Sequence, residues 1–307
     1  MAARTEAEIE VGGRKLKVSN LQKVLYPKAG FTKADVIDYY VRISPVLLPH
    51  LHNRALTLKR YPNGVEGPFF YEKRCPTYRP EWMKTEAVWS EGNNADIHFC
   101  VVNEVASLVW AANLADLELH TYLACAKKPL VPTMLVFDLD PGPPADIVQC
   151  CQVGLWLRAI FTTMGLECYP KTSGSKGLQL YLPLNTPTTF EKTKAFAQSL
   201  AQELEKVHPE LVVSRMSKSL RKGKVFVDWS QNDNSKTTVC VYSLRAKEQP
   251  TVSTPLRWEE VEECLAKKDA SLLVFETTDV LARVEKHGDL FAAVLEQKQK
   301  LPKLAGS

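Results

Sequence analysis

The chain has 307 residues, of which 45% are hydrophobic and 24% charged, a composition typical of a globular protein with a sizeable core. Its start lacks the apolar run of a signal peptide, and its uncharged apolar stretches are much shorter than the ~20 residues of a membrane-spanning helix. We therefore expect a soluble, intracellular protein. Segments 12–33 and 215–247 each carry a net charge of +6 against a total of +4. This polarisation suits a polyanionic ligand, although solvated basic loops would show it equally.

The predicted elements alternate between helices and short strands. A helix is expected to begin at Thr32, with Asp35 completing the cap, and others to span Asp146–Met164 and Phe190–Val207. Residues 250–307 are expected to be helical and polar. Strand patterns cover Met134–Asp140, Leu178–Leu184, Val225–Trp229 and Thr237–Tyr242. Without a regular βαβ rhythm, these elements predict an α+β fold.

The eight cysteines and six histidines show no paired spacing typical of a zinc site. Buried, reduced thiols are the expected state of the cysteines. Any metal ion should therefore be held by oxygen ligands.

Two acids on one strand carry the sharpest chemical signal. Asp138 and Asp140 alternate with Leu135, Phe137 and Leu139, so the acids should share one face while the apolar side chains enter the core. Their Cα atoms should lie about 6.6 Å apart along the strand, which suits carboxylates that converge on the two metal ions of phosphoryl-transfer chemistry. Repulsion between the acids also predicts a nearby cation.

A third acid, Asp228, lies in the apolar strand Val225–Trp229 and is a candidate third ligand. Oxygen-only ligation favours Mg²⁺ or Mn²⁺ over zinc. A single buried aspartate is more often satisfied by hydrogen bonds or an ion pair, but three together favour metal.

Two further segments could contact a nucleic acid or nucleotide. The loop Lys171–Gly177 contains glycines, serines and lysines that can surround phosphates, although it lacks the spacing of a Walker loop. Basic residues at 59–60 and aromatic residues at 69–71 could hold a backbone and stack bases, or could form an ordinary hairpin.

These motifs together resemble the archaeo-eukaryotic primase superfamily, and specifically the polymerase domain of bacterial ATP-dependent DNA ligase D. The matching stretches run almost from end to end and include Phe137–Gly142, Thr172–Leu184 and Lys218–Asn232. The resemblance implies a primase-polymerase fold, with mixed and antiparallel sheets flanked by helices. It also implies one catalytic domain over 1–307, with a DNA-end-binding part at about 1–60, a core at about 61–250 and a helical part at about 251–307.

The resemblance also implies roles for individual residues. Asp138, Asp140 and Asp228 match the metal ligands, and Phe70 and Tyr71 match a phenylalanine pair that stacks on the template. The other matches are Lys59, His120, Ser173, Lys176, Gln179 and Arg245 near the triphosphate, Lys23 and Lys33 at a 5′-phosphate, and Arg221 in an end-pairing loop.

Gln179 departs from the family, whose members usually have histidine there. Glutamine can donate a hydrogen bond to a phosphate but cannot become cationic. The sequence also lacks a Lys-x-Asp-Gly adenylation motif, so we expect a polymerase module without its ligase.

We therefore expect a template-directed nucleotidyltransferase that extends or fills DNA ends with NTPs or dNTPs, using two Mn²⁺ or Mg²⁺ ions in non-homologous end joining. Its expected partners are gapped or broken DNA with a 5′-phosphate, Ku and a ligase module, in a cytoplasmic, nucleoid-associated setting without a membrane. The alternatives are an Asp-x-Asp phosphatase, a glycosyltransferase, or a DNA-end bridging protein with weakened catalysis, which Gln179 alone would favour.

Overall fold

A computed structural model describes residues 5–302, which form two compact units built from segments distant in sequence. Unit 1 contains the described residues up to 127 together with 237–252 and 276–288. Unit 2 contains 128–236, 253–275 and the described residues from 289 onward. The predicted division of one catalytic domain into three consecutive parts stays a prediction.

The described residues contain strands and helices in mixed order, as predicted for an α+β fold. The strands are β1 (Glu6–Val11), β2 (Arg14–Ser19), β3 (Val24–Tyr26), β4 (Phe31–Thr32), β5 (Leu56–Arg60), β6 (Phe70–Glu72), β7 (Thr85–Ser90), β8 (Ala95–Cys100), β9 (Asp116–Thr121), β10 (Met134–Pro141), β11 (Tyr169–Thr172), β12 (Leu178–Pro183), β13 (Val212–Val213), β14 (Val225–Asp228) and β15 (Thr238–Val239). The helices are α1 (Lys33–Leu51), α2 (Val105–Asn113), α3 (Ile147–Thr163), α4 (Phe190–Val207), α5 (Trp258–Lys267), α6 (Thr277–His287) and α7 (Ala293–Glu296).

Unit 1 is organised around a six-stranded sheet in the order β15-β9-β5-β8-β7, with β6 paired to β5. The hairpins β1-β2 and β3-β4 precede it, and α1 packs against α2 and α6. Tyr39 and Tyr40 of α1 are buried, and their hydroxyls donate to the carbonyls of Tyr242 and Leu117 at 2.8 and 2.7 Å. The buried aromatic face of α1 therefore fastens this helix to the backbone around it.

Unit 2 contains a five-stranded sheet in the order β11-β12-β10-β14-β13, antiparallel except for the β13–β14 pair. Leu135, Phe137 and Leu139 of β10 enter a core that also contains apolar side chains of α3 and α4. Because side chains alternate along a strand, burying these three leaves Asp138 and Asp140 on the opposite face.

The predicted helices agree with the structure, whereas three predicted strands end earlier, among them β12, which ends one residue early at Pro183. Thr32 and Asp35 form a capping box at α1, and α4 has the predicted bounds. Strand β14 ends at Asp228 because its carboxylate caps the 3₁₀ turn that follows. Strand β15 covers only Thr238–Val239, and the chain turns near Tyr242, whose φ of 63° lies in the left-handed region.

The expectation that all cysteines are reduced is wrong for one pair. Cys75 and Cys100 form a disulfide. The Cys75 amide donates to the His98 carbonyl at 2.7 Å, which places residue 75 beside strand β8, where Cys100 lies. The six other cysteines are free thiols, and five of these are buried.

None of the helices within residues 5–302 combines the length and apolar character that a membrane crossing requires.

The capping box of α1 gives a first prediction. Thr32→Ala removes the hydroxyl that accepts from the Asp35 amide, and should lower the free energy of unfolding by about 1 kcal/mol. Thr32→Ser retains the hydroxyl and is the matched control. Urea unfolding followed by circular dichroism measures both, and equal losses in the two variants would contradict the assigned cap.

Candidate active site

Four polar side chains form one row across the sheet of unit 2. The antiparallel register places Lys171 opposite Gln179, Gln179 opposite Asp138, and Asp138 opposite Asp228. Directly opposed residues project from the same face of a sheet. The row therefore joins the carboxylates of β10 and β14 to a lysine two strands away.

Lys171 is the buried cation of this row. Its ammonium donates to Gln179 Oε1 at 2.5 Å and to Ser253 Oγ at 2.6 Å, and the residue is only 1% exposed. Gln179 in turn donates a hydrogen bond to Asp138. An ammonium can only donate and a carboxylate can only accept, so an amide between them has one possible orientation. The cation expected near the acids is thus Lys171, which acts through Gln179.

The carboxylates carry more negative charge than Lys171 offsets. Burial, followed by the charges of Asp140 and Asp228, raises the pKa of Asp138 to about 7, while the hydrogen bond from Gln179 and the charge of Lys171 oppose the rise. A divalent cation at this face would remove the excess. The oxygen-only donor set is the kind that Mg²⁺ and Mn²⁺ prefer.

Asp228 shows how far this group is from a ready-made metal site. Its carboxylate accepts from the Ser230 amide and hydroxyl at 2.9 and 2.6 Å and from Gln231 Nε2 at 2.8 Å. Among residues 5–302, no three His, Cys, Asp or Glu side chains converge closely enough to hold an ion. A carboxylate has about four acceptor positions, so Asp228 retains capacity for a cation beside its three donors.

The loop between β11 and β12 is closed by Ser173. Its hydroxyl accepts from the amides of Ser175 and Gly177 at 3.2 and 3.1 Å. Lys176 is exposed, with its ammonium 3.3 Å from the Pro141 carbonyl at the end of β10. Gly177 is required here, because a Cβ would lie 2.3 Å from the Leu139 carbonyl oxygen. Lys176 is therefore the cation of this loop that solvent and ligands can reach.

Unit 1 contains a second cluster, centred on Glu118, which the sequence interpretation missed. Glu118 Oε2 lies 3.0 Å from Lys59 Nζ, 3.1 Å from His120 Nε2 and 3.3 Å from Arg245 Nε. Oε1 accepts from the Tyr61 hydroxyl at 3.2 Å and from the amide of residue 246 at 3.1 Å. The structure thus brings three predicted triphosphate-binding residues to one carboxylate.

Electrostatics within this cluster fix two protonation states. Burial alone would raise the pKa of Glu118, but the hydrogen bond from His120 and the charges of Arg245 and Lys59 hold it well below its usual value. Burial lowers the pKa of His120, with Glu118 opposing and Arg245 and Lys59 adding to the decrease. With Glu118 charged and His120 neutral, the two cations leave the cluster with a net positive charge.

Lys59 is also enclosed by aromatic rings. Its ammonium lies 4.6 Å from the ring centre of Phe69, 5.3 Å from Tyr61 and 5.6 Å from Tyr71. Cation–π contacts of this kind restrict a side chain that is otherwise flexible. Lys59 is therefore held in place by rings as well as by Glu118.

Phe70 and Tyr71, predicted to stack on the template as a pair, lie on opposite faces of strand β6. Tyr71 is opposite Lys59 in register and its ring lies 5.8 Å from His120, whereas Phe70 is opposite Arg60, whose guanidinium lies 5.2 Å from its ring centre. Both aromatic side chains are exposed, at 44% for Phe70 and 56% for Tyr71. Strand alternation separates them, so they present two stacking surfaces.

The two N-terminal lysines differ in accessibility. Lys23 is exposed, and its ammonium lies 3.3 Å from Asn63 Oδ1. Lys33 is 6% exposed, and its ammonium donates to the carbonyls of Ser19 and Asn113 at 2.9 and 2.8 Å. This arrangement favours Lys23 for a phosphate contact, and the predicted contact of Lys33 stays a prediction.

Arg221 lies in a loop anchored to the end of β10. The Gly142 amide donates to the Lys224 carbonyl at 2.8 Å, and the Gly223 amide donates to the Gly142 carbonyl at 3.0 Å. The Arg221 guanidinium lies 3.7 Å from the ring centre of Phe226 and donates to a backbone carbonyl of the same loop. Its predicted role in end pairing stays a prediction.

Comparison with known proteins identifies the family. The model of the LigD primase-polymerase domain matches residues 32–291. The chain belongs to the LigD primase-polymerase domain family. This membership confirms the resemblance and the predicted class of enzyme, a nucleotidyltransferase acting on DNA, and favours it over the phosphatase and glycosyltransferase alternatives.

Similar proteins include multidomain members of this family. The chain is 40% identical over 282 residues to the multifunctional non-homologous end joining protein LigD of Mycolicibacterium smegmatis, covering 91% of this chain and 36% of that protein. It is 33% identical over 289 residues to the bifunctional LigD of Bacillus subtilis, covering 94% and 45% respectively. The chain thus spans less than half the length of these relatives.

A solved structure supports the fold. The polymerase domain of Mycobacterium tuberculosis ligase D, in complex with DNA, is similar with a TM-score of 0.84 and 38% identity. The match covers 92% of this chain and 99% of that one. The predicted primase-polymerase α+β fold is therefore confirmed.

Two residues of the clusters were absent from the predicted site, although their sequence context carried a signal. Glu118 alternates with the leucines at 117 and 119 in strand β9, the pattern that identified Asp138 in β10. Lys171 lies between buried residues of β11. Charged residues inside buried strands therefore mark both clusters more consistently than loop composition does.

The row in unit 2 gives a second prediction. Lys171→Met removes the ammonium that donates to Gln179 Oε1 and leaves the Asp138 charge less compensated, so the free energy of unfolding should fall by about 3 kcal/mol. Lys176→Met, which replaces an exposed lysine of the same loop region, is the control and should change stability by less than about 0.5 kcal/mol. Chemical denaturation compares them, and similar small losses in both variants would contradict the row as a source of stability.

Proposed function

We propose that this primase-polymerase domain extends or fills broken DNA ends by template-directed nucleotide addition during non-homologous end joining. The observation that carries the proposal is the placement of Asp138, Asp140 and Asp228 on two paired strands of a domain of this family. The activities of the complete relatives extend beyond the part that this chain matches, and we assign only nucleotide addition to it.

The three carboxylates are proposed to hold two divalent ions, Mn²⁺ or Mg²⁺. Their oxygen chemistry fits these ions, and a cation would oppose the effect of burial and of the neighbouring acids, which raise the pKa of Asp138. When bound, such ions activate the primer 3′-hydroxyl and stabilise the charge on the departing pyrophosphate. The protein's contribution is to orient the carboxylates, which Gln179 does for Asp138 and the 3₁₀ turn does for Asp228.

The cationic side chains are proposed to bind the triphosphate. Lys59 and Arg245, fixed by Glu118, would neutralise phosphate charge, and His120 would donate to a phosphate once the ring nitrogen that Glu118 leaves available is protonated. Within unit 2, Lys176 would offer an exposed ammonium to a phosphate group, and Ser173 would shape the loop that carries it.

For Gln179 we propose a role other than the predicted contact with the triphosphate. It is buried between Lys171 and Asp138, so we propose that it orients a metal ligand rather than binding the triphosphate. Because an amide performs this task without titrating, its presence does not require loss of catalysis. The reading of the chain as a degenerate DNA-bridging protein therefore loses its only sequence support.

The DNA contacts are proposed to involve several surfaces. Tyr71 and Phe70 would stack on template bases from the two faces of strand β6, and Lys23 would contact the 5′-phosphate of a gap. Ku, a ligase module, a cytoplasmic and nucleoid-associated location, and end pairing through Arg221 stay predictions.

The carboxylates give a third prediction. Asp138→Ala and Asp228→Ala should each lower primer extension on a gapped duplex by about 10²-fold or more, because the lost interactions stabilise charge in the transition state. DNA binding should stay near that of the unaltered chain. Extension assays with Mn²⁺ and with Mg²⁺, using NTPs and dNTPs, measure the effect.

The matched control is Asp233→Ala. Asp233 is also in unit 2, where it pairs with Lys194 at 2.6 Å, but it does not belong to the row of acids. Extension should persist in this variant. Near-normal extension by Asp138→Ala in Mn²⁺ would contradict the metal-ligand assignment.

Lys23 gives a fourth prediction. Lys23→Ala should lower the preference for a 5′-phosphorylated gap over a hydroxyl-ended gap by about tenfold, since a hydrogen bond to a charged group contributes about 1.5–3 kcal/mol. Lys15→Ala is the control, because Lys15 is an exposed lysine of the same basic segment. Fluorescence anisotropy with duplexes that differ only in this phosphate compares the variants. An equal loss of affinity for both duplexes would instead indicate a general backbone contact.

A further inference from the structure

The carboxylate of Glu118 is buried in unit 1 and is surrounded by hydrogen-bond donors. Its side chain is 3% exposed, and both of its oxygens accept from more than one partner. Oε2 lies within 3.3 Å of a nitrogen atom of each of the basic side chains Lys59, His120 and Arg245. All three basic side chains therefore approach the same oxygen of Glu118.

These basic side chains would not stay together without an anion among them. Atoms within 3.3 Å of one oxygen lie no more than ~6–7 Å apart, and two cations at this separation repel in a partly buried site. Lys59 also has a long side chain with many rotamers, whose ordering costs free energy unless a partner fixes it. A carboxylate that stays charged offsets the repulsion between the two cations and holds the Lys59 side chain in one conformation.

We propose that Glu118 is a positioning residue that assembles Lys59, His120 and Arg245 into one preorganised binding site for the polyphosphate of the incoming nucleotide. This inference rests on the proposed function, because it takes the polyphosphate as the ligand of these residues. Glu118 itself would not contact the ligand, since an anion so close to a phosphate would repel it. It acts through the cations that it holds.

Glu118 also selects the tautomer of His120. A carboxylate only accepts, so His120 Nε2 carries the hydrogen and Nδ1 is left with its lone pair. The charged groups facing this ring are Glu118, Lys59 and Arg245, with the edge of Tyr71 beside it. Protonation at Nδ1 would create a donor for phosphate, so binding of the anion should be accompanied by proton uptake and should tighten as the pH falls.

Glu118→Gln separates positioning from simple electrostatics. The substitution keeps the size of the side chain but raises the net charge of the cluster by one, so bulk attraction alone would tighten the binding of an anion. If Glu118 positions the cations, binding should instead weaken by about tenfold or more, because the amide's N–H groups must face groups that also donate.

The experiment is calorimetric titration of the whole chain with inorganic tripolyphosphate in the absence of divalent metal. Glu118→Gln should bind at least about tenfold more weakly, and its affinity should depend less on pH. Glu205→Gln is the matched control, because Glu205 is a carboxylate of unit 2 that also accepts from several donors, which belong to Ser214 and Arg215. Unchanged or tighter binding by Glu118→Gln would overturn the inference.

A second comparison covers the case in which Glu118→Gln folds poorly. Glu118→Asp keeps the charge but shortens the side chain, and it should also weaken tripolyphosphate binding if position matters. Lys59→Met should weaken binding in the unaltered chain but add little in the Glu118 variants. Additive losses would show that Glu118 does not act through Lys59 and would overturn the inference.

The same samples distinguish this inference from the proposed function. If the unaltered chain extends primers and Glu118→Gln binds tripolyphosphate normally, only the role of Glu118 fails. If the unaltered chain neither extends primers nor binds tripolyphosphate, the proposed function itself fails.

Discussion

The compensation of buried charge is the constraint on which both clusters depend. A charged side chain on a buried sheet face is costly unless partners balance and hydrogen-bond it. In unit 2, the buried ammonium of Lys171 opposes the charge of the carboxylates. It donates to Gln179, which in turn donates to Asp138. Unit 1 balances the cations Lys59 and Arg245 with the carboxylate of Glu118.

The balance is incomplete in each unit, and with opposite sign. Asp138, Asp140 and Asp228 outnumber the buried ammonium of Lys171 in unit 2, whereas Lys59 and Arg245 outnumber the carboxylate of Glu118 in unit 1. A divalent cation is the natural complement of the first and a polyphosphate of the second. Nucleotidyl transfer needs both ligands, so the residual charges are what this chemistry requires of each cluster.

The glutamine at position 179 changes the character of the row without breaking it. The family resemblance implies histidine at this position. A histidine placed between the ammonium of Lys171 and the carboxylate of Asp138 could gain or lose a proton, whereas an amide cannot. The orientation of Gln179 is dictated by its neighbours, since Lys171 can only donate to it. Its hydrogen bond to Asp138 is thus insensitive to pH by itself.

Sequence patterns predicted what depends on local geometry. Alternation placed Asp138 and Asp140 on the face opposite the core, and the Thr32 and Asp35 pair identified the start of α1. The same alternation would also have separated Phe70 from Tyr71, had it been applied to strand β6.

Strand register could not be predicted from the sequence, and it creates the clusters. Glu118 meets Lys59 across paired strands and meets Arg245 from a segment more than a hundred residues away. Lys171 reaches Asp138 only because β11, β12 and β10 align in one row. The burial of Lys33 and the bond between Cys75 and Cys100 depend on similarly distant contacts.

Binding of Mn²⁺, measured by electron paramagnetic resonance without DNA or nucleotide, tests most directly whether the carboxylates of unit 2 hold divalent cations. We expect the unaltered chain to bind Mn²⁺. Asp138→Asn keeps the shape of the side chain but removes its charge, and it should reduce the affinity for Mn²⁺ by at least about tenfold. Equal Mn²⁺ affinity in the two proteins would contradict this expectation.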